Sequence, residues 1–305
     1  HDQWKLRDGT HLGNIYFGSN TSVTFQNEIE IPFFNYYLKG KKDPSLSGAT
    51  IFFSGENKWR HFDSWPSEKT KEEKIYLQEK NGLSLKGPAS ESSYDEYISD
   101  PMHPVPYTED VHFNRTRDYM TGDQRFAARR TDVLSYQSPI LKEDFTVGGP
   151  VIADLQTSIS TTDADFVVKI IDVFPDSLSY QRVDIYAVNE PEKIYPMGGY
   201  QMLVRGEIFR GKYRRSYEIP QAFQPGKPEN IRFNLMDVAH TFKKGHRLMI
   251  QIQSSWFPLS DRNPQKFTDI YTCEDSDYQK STIRIYHDRH NPSSIIMPVI
   301  AGRPE

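Results

Sequence analysis

The sequence predicts a mainly β fold, in which a jelly-roll β-sandwich follows a small α/β segment. Three observations predict this fold class. Segments of alternating apolar and polar residues recur from residue 74 onward, separated by turn or loop signals. No helical pattern interrupts these segments. Before residue 55, by contrast, a helical pattern is followed by a short apolar run, which is typical of an α/β unit.

The clearest strand pattern lies at residues 245–265, GHRLMIQIQSSWFPLSDRNPQ. Alternate residues from Leu248 to Gln253 are apolar, so one side of the segment is uniformly hydrophobic. This period of two predicts a half-buried β-strand. Pro258 ends the strand because proline cannot donate a backbone hydrogen bond.

Further alternating segments lie at residues 151–156, 166–170, 203–210, 231–235 and 283–285. Residues 75–77 and 83–85 flank Asn81-Gly82, a dipeptide that favours a hairpin turn. Residues 88–130 contain several prolines and indicate a long extended excursion over a surface. Long connections between strands favour a Greek-key or jelly-roll arrangement over a meander, and no internal repeat suggests a propeller or solenoid.

Residues 21–40 carry a helical pattern. Thr21 or Ser22 is the expected N-cap and Gly40 the expected stop. Pro32 is expected to kink or split the helix. The apolar face should pack on a part of the protein outside this sequence, and would promote self-association if left exposed; its residues are Phe25, Ile29, Phe33 and Tyr36.

The continuous apolar run ATIFFS at residues 49–54 is typical of a strand buried on both faces, as in a parallel sheet. Residues 56–66 read as a connector, packed onto the underlying protein by its two tryptophans. We therefore predict two units. Residues 1–62 form the C-terminal end of an α/β domain, and residues 63–305 form the jelly roll.

Composition narrows the function classes. The formal charge of −4 and the lack of a long basic run give no support for nucleic-acid binding. No apolar run approaches the roughly 18 residues of a membrane span. The single Cys273 cannot form an intramolecular disulfide and is expected to be structural. The sequence starts HDQWKLRDGT, without Met or a signal-peptide pattern, so we expect a longer protein cut at this point.

A search for a complete catalytic site finds none. The sequence has no G-x-S-x-G elbow, H-E-x-x-H motif, P-loop or paired C-x-x-C. Asp163, Asp165 and Asp172 are the residue type that binds calcium. We favour a turn that enters a strand, with Asp172 capping the far end, and predict no metal and no cofactor.

Other polar residues are expected to have structural roles. A basic group in RGKYRRSYE should pair with carboxylates across the sheet or at a domain interface: Arg210, Arg214 and Arg215. Residues 261–263 follow a strand end and either scaffold a loop or border a cleft, with scaffolding favoured. Trp256 and Phe257 are interpreted as core or interface anchors more readily than as a sugar platform.

Several long motifs together resemble the C-terminal part of the CocE/NonD serine hydrolases. They are SSWFPLSDRNPQ, FFSGENKWRHFDSWP, YISDPMHPVPY, DQRFAARRTDVLSYQSPIL, DADFVVKIIDVFPD, MGGYQMLVRGEIFRGKYRRSYE and DYQKSTIRIYHDRHNPSSIIMPV. Within that group the chain most resembles the α-amino-acid ester hydrolases and glutaryl-7-aminocephalosporanic-acid acylases. The X-prolyl dipeptidyl peptidases share the same C-terminal jelly-roll domain. The resemblance extends through nearly the whole chain.

The resemblance also implies a role for His1. It is followed by Asp8-Gly9, by Leu12-Gly13 and by the run IPFFNYYL at residues 31–38, as the triad histidine of the family is followed by similar segments. His1 would take the proton of the nucleophilic serine and return it to the leaving group. The family's Gly-Pro-Trp lead-in is absent because the sequence starts at His1, and the alternative is that His1 is a cloning remnant.

The resemblance implies that the serine, the aspartate, the oxyanion hole and the carboxylates that hold a substrate ammonium lie upstream. The expected function is thus the C-terminal portion of a Ser-His-Asp hydrolase of α-amino-acid esters, β-lactam side chains or related esters and amides. This chain would wall the pocket and be inactive alone. The expected partners are the upstream α/β-hydrolase domain, a small substrate and a second copy of the chain. The alternative is a non-catalytic jelly-roll module for binding or oligomerisation. A periplasmic or secreted location is implied by the resemblance alone.

Overall fold

The structure is a computed structural model that describes residues 8–178, 181–183 and 193–300. The described chain starts with a two-stranded hairpin and a helical segment. Their bounds are β1 His11–Leu12, β2 Ile15–Tyr16, α1 Thr21–Phe25, a π-helical turn Gln26–Glu30, and α2 Ile31–Lys39. The predicted helix therefore exists, but it is divided into two by the π-helical turn.

Pro32 explains the division, because its missing N–H cannot bond the carbonyl four residues earlier. It lies in the first turn of α2, where proline is tolerated. The expected N-cap was wrong: Asn20 holds that position. Thr21 instead donates its hydroxyl to the carbonyl of Gly9, at 2.7 Å. Gly40 ends α2 in the left-handed conformation, as predicted.

The ATIFFS run forms strand β3, Ala49–Phe53, but not in a parallel sheet. It pairs antiparallel with β4, Lys58–Phe62, because Gly55 and Asn57 adopt positive φ angles and turn the chain back. Within this strand only Phe53 is buried, so burial on both faces was wrong. The predicted connector likewise contains β4.

The two tryptophans of that predicted connector pack as expected. Trp59 lies on Phe52, with ring centroids 5.4 Å apart, and Trp65 lies on Phe62 at the same separation. The Trp65 indole also donates to Asp237, in a later strand. The hairpin β3–β4 is therefore held against the β-sandwich.

The sandwich is built from β5 Thr70–Gln78, β6 Gly82–Ser84, β7 Tyr94–Ser99, β8 Leu134–Gln137, β9 Phe145–Ile159, β10 Asp165–Val173, β13 Gln201–Arg210, β14 Glu229–Phe242, β15 Arg247–Gln253, β16 Ser281–Tyr286 and β17 Ser294–Ile300. A separate pair comprises β11 Gln181–Val183 and β12 Lys193–Tyr195. The predicted alternating segments all lie within these strands. The predicted hairpin also forms, with Leu77 opposite Leu83.

The strands follow the order β13-β10-β15-β8-β6-β5-β17-β9-β16-β7, and β14 pairs with β9. The parallel contact of β6 with β8 joins two halves of the sheet, which fold over a common hydrophobic core. Phe209 of β13 and Phe233 of β14 stack across this core, with centroids 5.1 Å apart. Apart from the β5–β6 hairpin, neighbours in this order are not consecutive in sequence, as the predicted jelly roll requires.

The outer face of β15 is also covered, so the prediction that this strand is half-buried was wrong. Met249, Gln251 and Gln253 are buried along with the apolar side of the strand. Residues 100–133, which we call the covering segment, lie over this face. Tyr107 of the covering segment and Trp256 pack with Met249 in a second hydrophobic cluster.

The region 88–130 is more regular than predicted. It includes β7, a 3-10 turn at Asp118–Thr121 and α3, Arg125–Ala128. Other 3-10 turns lie at Glu79–Asn81, Gly211–Tyr213 and Asp275–Asp277. No helix among the described residues is long and apolar enough to cross a membrane.

Candidate functional site

A hollow of about 310 Å³ lies where the N-terminal hairpin meets the covering segment. We call it the Tyr-acid hollow. Four tyrosines and four carboxylates are among its lining residues, and none of the sixteen is Lys or Arg: Gly13, Asn14, Tyr107, Thr108, Glu109, Asp110, His112, Thr116, Asp118, Tyr119, Gly122, Asp123, Gln124, Phe126, Tyr195 and Tyr200. The lining comes from three separate stretches of sequence.

A side-chain hydrogen bond and close packing fix the N-terminal hairpin at the edge of this hollow. The hydroxyl of Thr121 donates to the carbonyl of Leu12 at 2.8 Å. Gly13 has a φ of +54°, and a Cβ there would lie 3.3 Å from the Cβ of Asp118. Tyr200 donates its hydroxyl to the carbonyl of Thr121 at 2.9 Å. Leu12 and Gly13 of the N-terminal hairpin are thus fixed against the hollow.

Aromatic rings form its walls. Tyr107 and Tyr119 meet edge to face with centroids 5.5 Å apart, and Tyr119 meets Trp256 in the same way at 5.9 Å. On the other side Tyr195 and Tyr200 are 5.6 Å apart. Rings held in this way present faces that can contact a cation or an apolar group.

The acidic groups of the hollow differ in their partners. Asp123 is paired with Arg125, whose Nε lies 2.6 Å from the carboxylate and whose other nitrogens donate to the carbonyls of Pro196 and Gly198. Burial, together with the charge of Asp123, raises the pKa of Tyr195 to about 12. Asp118, Glu109 and Asp110 are exposed at the mouth of the hollow. The lining itself supplies no Lys or Arg, and Arg125, from outside it, offsets the charge of Asp123.

Two apolar surfaces are exposed, one beside the hollow and one on helix α2. Val111 and Phe113, in the loop beside the hollow, are fully exposed. In α2 no residue is buried, and Tyr37 and Leu38 are 66% and 74% exposed. Exposed apolar surface of this extent marks an interaction site.

A second polar cluster joins β3–β4 to the sandwich. His240 Nδ1 lies 2.8 Å from the hydroxyl of Ser54, and its Nε2 lies 3.2 Å from Asp172. His246 Nδ1 lies 2.8 Å from the other oxygen of Asp172. Burial favours a raised pKa for Asp172, but the hydrogen bonds from His240 and His246 outweigh it, so the pKa lies below its usual value.

This Ser-His-Asp arrangement has a structural role. His240 and Asp172 are almost completely buried, and no lining residue of the Tyr-acid hollow belongs to the cluster. The backbone of Ser54 is paired with that of Ala239 and Thr241. Sequence reasoning missed both histidines, although the alternation of β14 predicts that His240 lies on the same side as Val238.

The three aspartates considered as calcium ligands do not come together. Asp172 lies at the opposite end of β10 from Asp165. Asp163 accepts from the backbone N–H groups of Ala164 and Lys212, and Asn263 donates its amide to both Asp163 and Asp165. Within the described residues no group of three or more His, Cys, Asp or Glu could hold a metal ion. The turn into β10 matches the preferred interpretation, but Asp172 lies within the strand and contacts His240 and His246 and does not cap the strand end.

The remaining polar predictions are mostly structural. Arg210 pairs with Asp165, while Arg214 and Arg215 both pair with Glu229, as expected. Residues 261–263 scaffold a loop: Asn263 is buried on the two aspartates and Arg262 donates to the carbonyl of Pro101. Trp256 is a buried anchor, but Phe257 is partly exposed. Half-buried Cys273 donates to the carbonyl of Ile270. His1 lies outside the described residues.

Comparison with known proteins identifies the class. Residues 36–296 match the model of the X-Pro dipeptidyl-peptidase C-terminal non-catalytic domain, and the chain belongs to this family. Cocaine esterase of Rhodococcus sp. (strain MB1 Bresler) is 29% identical over 279 residues, which cover 88% of this chain and 45% of the esterase. The chain is the C-terminal part of a CocE/NonD family protein.

Two solved structures are similar over nearly the whole chain. An aminopeptidase from the marine sediment archaeon Thaumarchaeota archaeon has a TM-score of 0.88 and 36% identity, covering 98% of this chain and 48% of its own. An α-amino acid ester hydrolase has a TM-score of 0.86 and 36% identity, covering 96% and 47%. The chain thus spans about half the length of the proteins that it matches.

Proposed function

We propose that this chain is the C-terminal portion of a hydrolase that cleaves α-amino-acid esters or related amides by Ser-His-Asp acyl transfer. In this proposal the serine and aspartate lie upstream, His1 is the triad base, and residues 63–305 wall the substrate pocket. β-Lactam compounds with α-amino acyl side chains fall within the same substrate class. The Tyr-acid hollow is the observation that carries the proposal.

The position of the hollow supports this role. Its edge is formed by Gly13 and Asn14, twelve and thirteen residues after His1 in sequence. Seven Cα–Cα steps lead from His1 to Asp8, the first described residue, so a fully extended chain would span no more than about 25 Å between them. We infer that the proposed base lies within reach of the same cleft.

The chemistry of the hollow fits a substrate ammonium. A cation gains from aromatic faces within about 6 Å and from nearby carboxylates, and both line the hollow. The two solved structures with 36% identity are an aminopeptidase and an α-amino acid ester hydrolase, which supports a substrate that carries an amino group. We propose that Asp118 and Tyr119 add to the recognition of that group.

We propose that the upstream domain packs on the exposed apolar surfaces. Helix α2 and the loop that carries Val111 and Phe113 would pack on it, which would bring the hollow to the boundary between the two units. The boundary between residues 62 and 63 stays a prediction.

The test uses the full-length protein and two substrates, an α-amino-acid ester and the same ester without the amino group. We expect His1→Ala to abolish turnover of both, because the triad base is lost. We expect Asp118→Asn and Tyr119→Ala to raise KM for the amino ester about tenfold or more, and for the des-amino ester far less. Equal effects on both substrates would refute recognition of the ammonium, and an active His1→Ala enzyme would refute the triad assignment.

The exposed helix supports a second candidate, a non-catalytic oligomerisation module. In that case the full-length protein would associate through α2, and Asp118→Asn would leave ester hydrolysis unchanged. The pair of measurements, oligomeric state and KM, separates the two candidates.

A further inference from the structure

Lys169 lies in the middle of β10 with no part of its surface exposed. Its ammonium donates to Gln124 Oε1 at 2.9 Å, and no carboxylate pairs with it among the described residues. Burial lowers the pKa of Lys169 to about 7. A buried amine without a charge partner destabilises a fold, so an apolar residue would suit stability better at this position.

The strands on both sides are shaped around this side chain. Gly206 and Gln251 are its register partners on β13 and β15. A Cβ on Gly206 would lie 2.6 Å from the ring of Trp256, and that ring lies 5.3 Å from Lys169 Nζ. Gln251 Oε1 is buried without a hydrogen-bond partner in the part of the chain that the structure describes. Stability does not explain these buried polar groups, because apolar residues at the same positions would suit the sheet better.

Two paths lead from Lys169 to the Tyr-acid hollow. The first is direct, because Gln124 accepts the ammonium hydrogen bond and itself lines the hollow. The second passes through Trp256, which contacts Tyr119 in the wall of the hollow. Gln124 is also fixed by its backbone, whose N–H donates to the carbonyl of Gln201 at 2.9 Å. Gln124 and Tyr119 are thus the two lining residues that connect the hollow to Lys169.

We propose that Lys169 is a positioning residue, whose buried ammonium holds Gln124 and Tyr119 of the hollow in the arrangement that receives the substrate. The inference rests on the proposed function of the hollow. It goes further by assigning a role to a residue that no substrate can touch. Burial of the amine lowers the stability of the fold, and in return Gln124 and Tyr119 are held in position.

The experiment compares Lys169→Met with Lys212→Met in the full-length enzyme. Lys212 is also buried, but it donates to the carbonyl of Thr268 and does not line the hollow. We expect Lys169→Met to raise KM for the α-amino-acid ester about tenfold, with kcat within about threefold and no decrease in thermal midpoint. Lys212→Met should leave KM unchanged.

A parallel loss of kcat, substrate affinity and thermal midpoint in Lys169→Met would assign the residue a structural role and overturn the inference. An unchanged KM would do the same. Gln124→Met provides the second measurement: it removes the acceptor from the other end of the hydrogen bond and should reproduce the rise in KM. If Lys169→Met and Gln124→Met both give insoluble protein, the role of Lys169 is structural and the inference is overturned.

Failure of this inference can be told apart from failure of the proposed function. If Asp118→Asn raises KM for the amino ester and Lys169→Met does not, only the positioning role is wrong. If neither substitution changes KM, the hollow is not a substrate site.

Discussion

The ring of His240 lies 2.8 Å from Ser54, which is 186 residues away in sequence, and 3.2 Å from Asp172. The groups follow the order of a catalytic serine relay, yet both the imidazole and the carboxylate are buried in the sandwich. The relay connects the β3–β4 hairpin to β14 and β10. Its geometry therefore predicts an effect on stability and none on chemistry.

Replacement of His240 by Ala should lower the free energy of unfolding by about 3 kcal/mol, because it leaves a cavity and a buried Asp172 with one partner fewer. Replacement of Ser54 by Ala should lower it by about 1 kcal/mol, since one hydrogen bond is lost. Urea denaturation of the chain measures both values. His103→Ala is the control, because this exposed histidine pairs with Asp100 at the surface and should leave the midpoint unchanged. Loss of turnover in full-length Ser54→Ala, with stability retained, would contradict the structural assignment.

Gly55 is predicted to be intolerant of any side chain. It has a φ of +83°, and a Cβ would lie 2.1 Å from the carbonyl oxygen of Thr241. Gly226 is the matched control, with a φ of +74° and nothing within 4 Å of the position that a Cβ would take. Both Ala variants carry the backbone strain, of about 1 kcal/mol, and only Gly55→Ala adds the collision with the sandwich. We expect Gly55→Ala to lose at least about 2 kcal/mol more stability than Gly226→Ala, as overpacking does. Equal losses would mean that the hairpin moves freely relative to β14.

The strands could be predicted from sequence because their signal is local. Alternation along residues such as Leu248, Ile250 and Ile252 follows from the two-residue period of a strand, whatever lies above it. Gly40 was predictable for the same reason, since a left-handed helix stop depends on the residue itself. What covers a strand is not local. The second layer over Met249 comes from Tyr107, and no sequence pattern near Met249 predicts this contact.

The candidate site could not be predicted for the same reason, because its residues come from distant stretches of sequence. The hollow combines Gly13, the stretch from Tyr107 to Gln124, and Tyr200, which are distant in sequence. The prolines just before the middle stretch, at residues 101–106, indicated an excursion, while the tyrosines and acids within it carried no periodic signal. His1 came only from a resemblance, and its role stays a prediction. The burial of Lys169 could not be predicted, because lysine alternation in a strand normally indicates a solvent-facing side.

Asp163 should make stability depend on pH in an unusual direction. Burial and the neighbouring Asp165 raise its pKa to about 6. Because the folded-state pKa exceeds the unfolded value of about 3.8, the folded state holds more protons between these two pH values. The contribution of Asp163 to stability is therefore greatest below pH 4 and falls as pH rises to about 6, by at most about 3 kcal/mol.

Asp163→Asn removes this titration and keeps an oxygen to accept from Ala164 and Lys212. The stability of the variant relative to the unsubstituted chain should rise between pH 4 and pH 6.5, as measured by thermal or urea unfolding at each pH. Asp154→Asn is the control, because that carboxylate pairs with Arg232 at the surface. A difference between chain and variant that does not change with pH would contradict the raised pKa.

Helix α2 should make the separate chain associate with itself. Its apolar residues surround most of the helix axis, and Phe33, Tyr36 and Tyr37 also line a groove of about 540 Å³ with residues 43–50. Without the proposed upstream domain, this surface has only water or a second copy to contact. Sedimentation velocity at increasing concentration should show dimers or larger species, and Phe34→Ser with Leu38→Ser should shift them towards monomer. Ile219→Ser, at an exposed apolar residue far along the chain, should leave the distribution unchanged. A chain that stays monomeric at high concentration would show that α2 needs no cover, and would weaken the proposal that an upstream domain packs there.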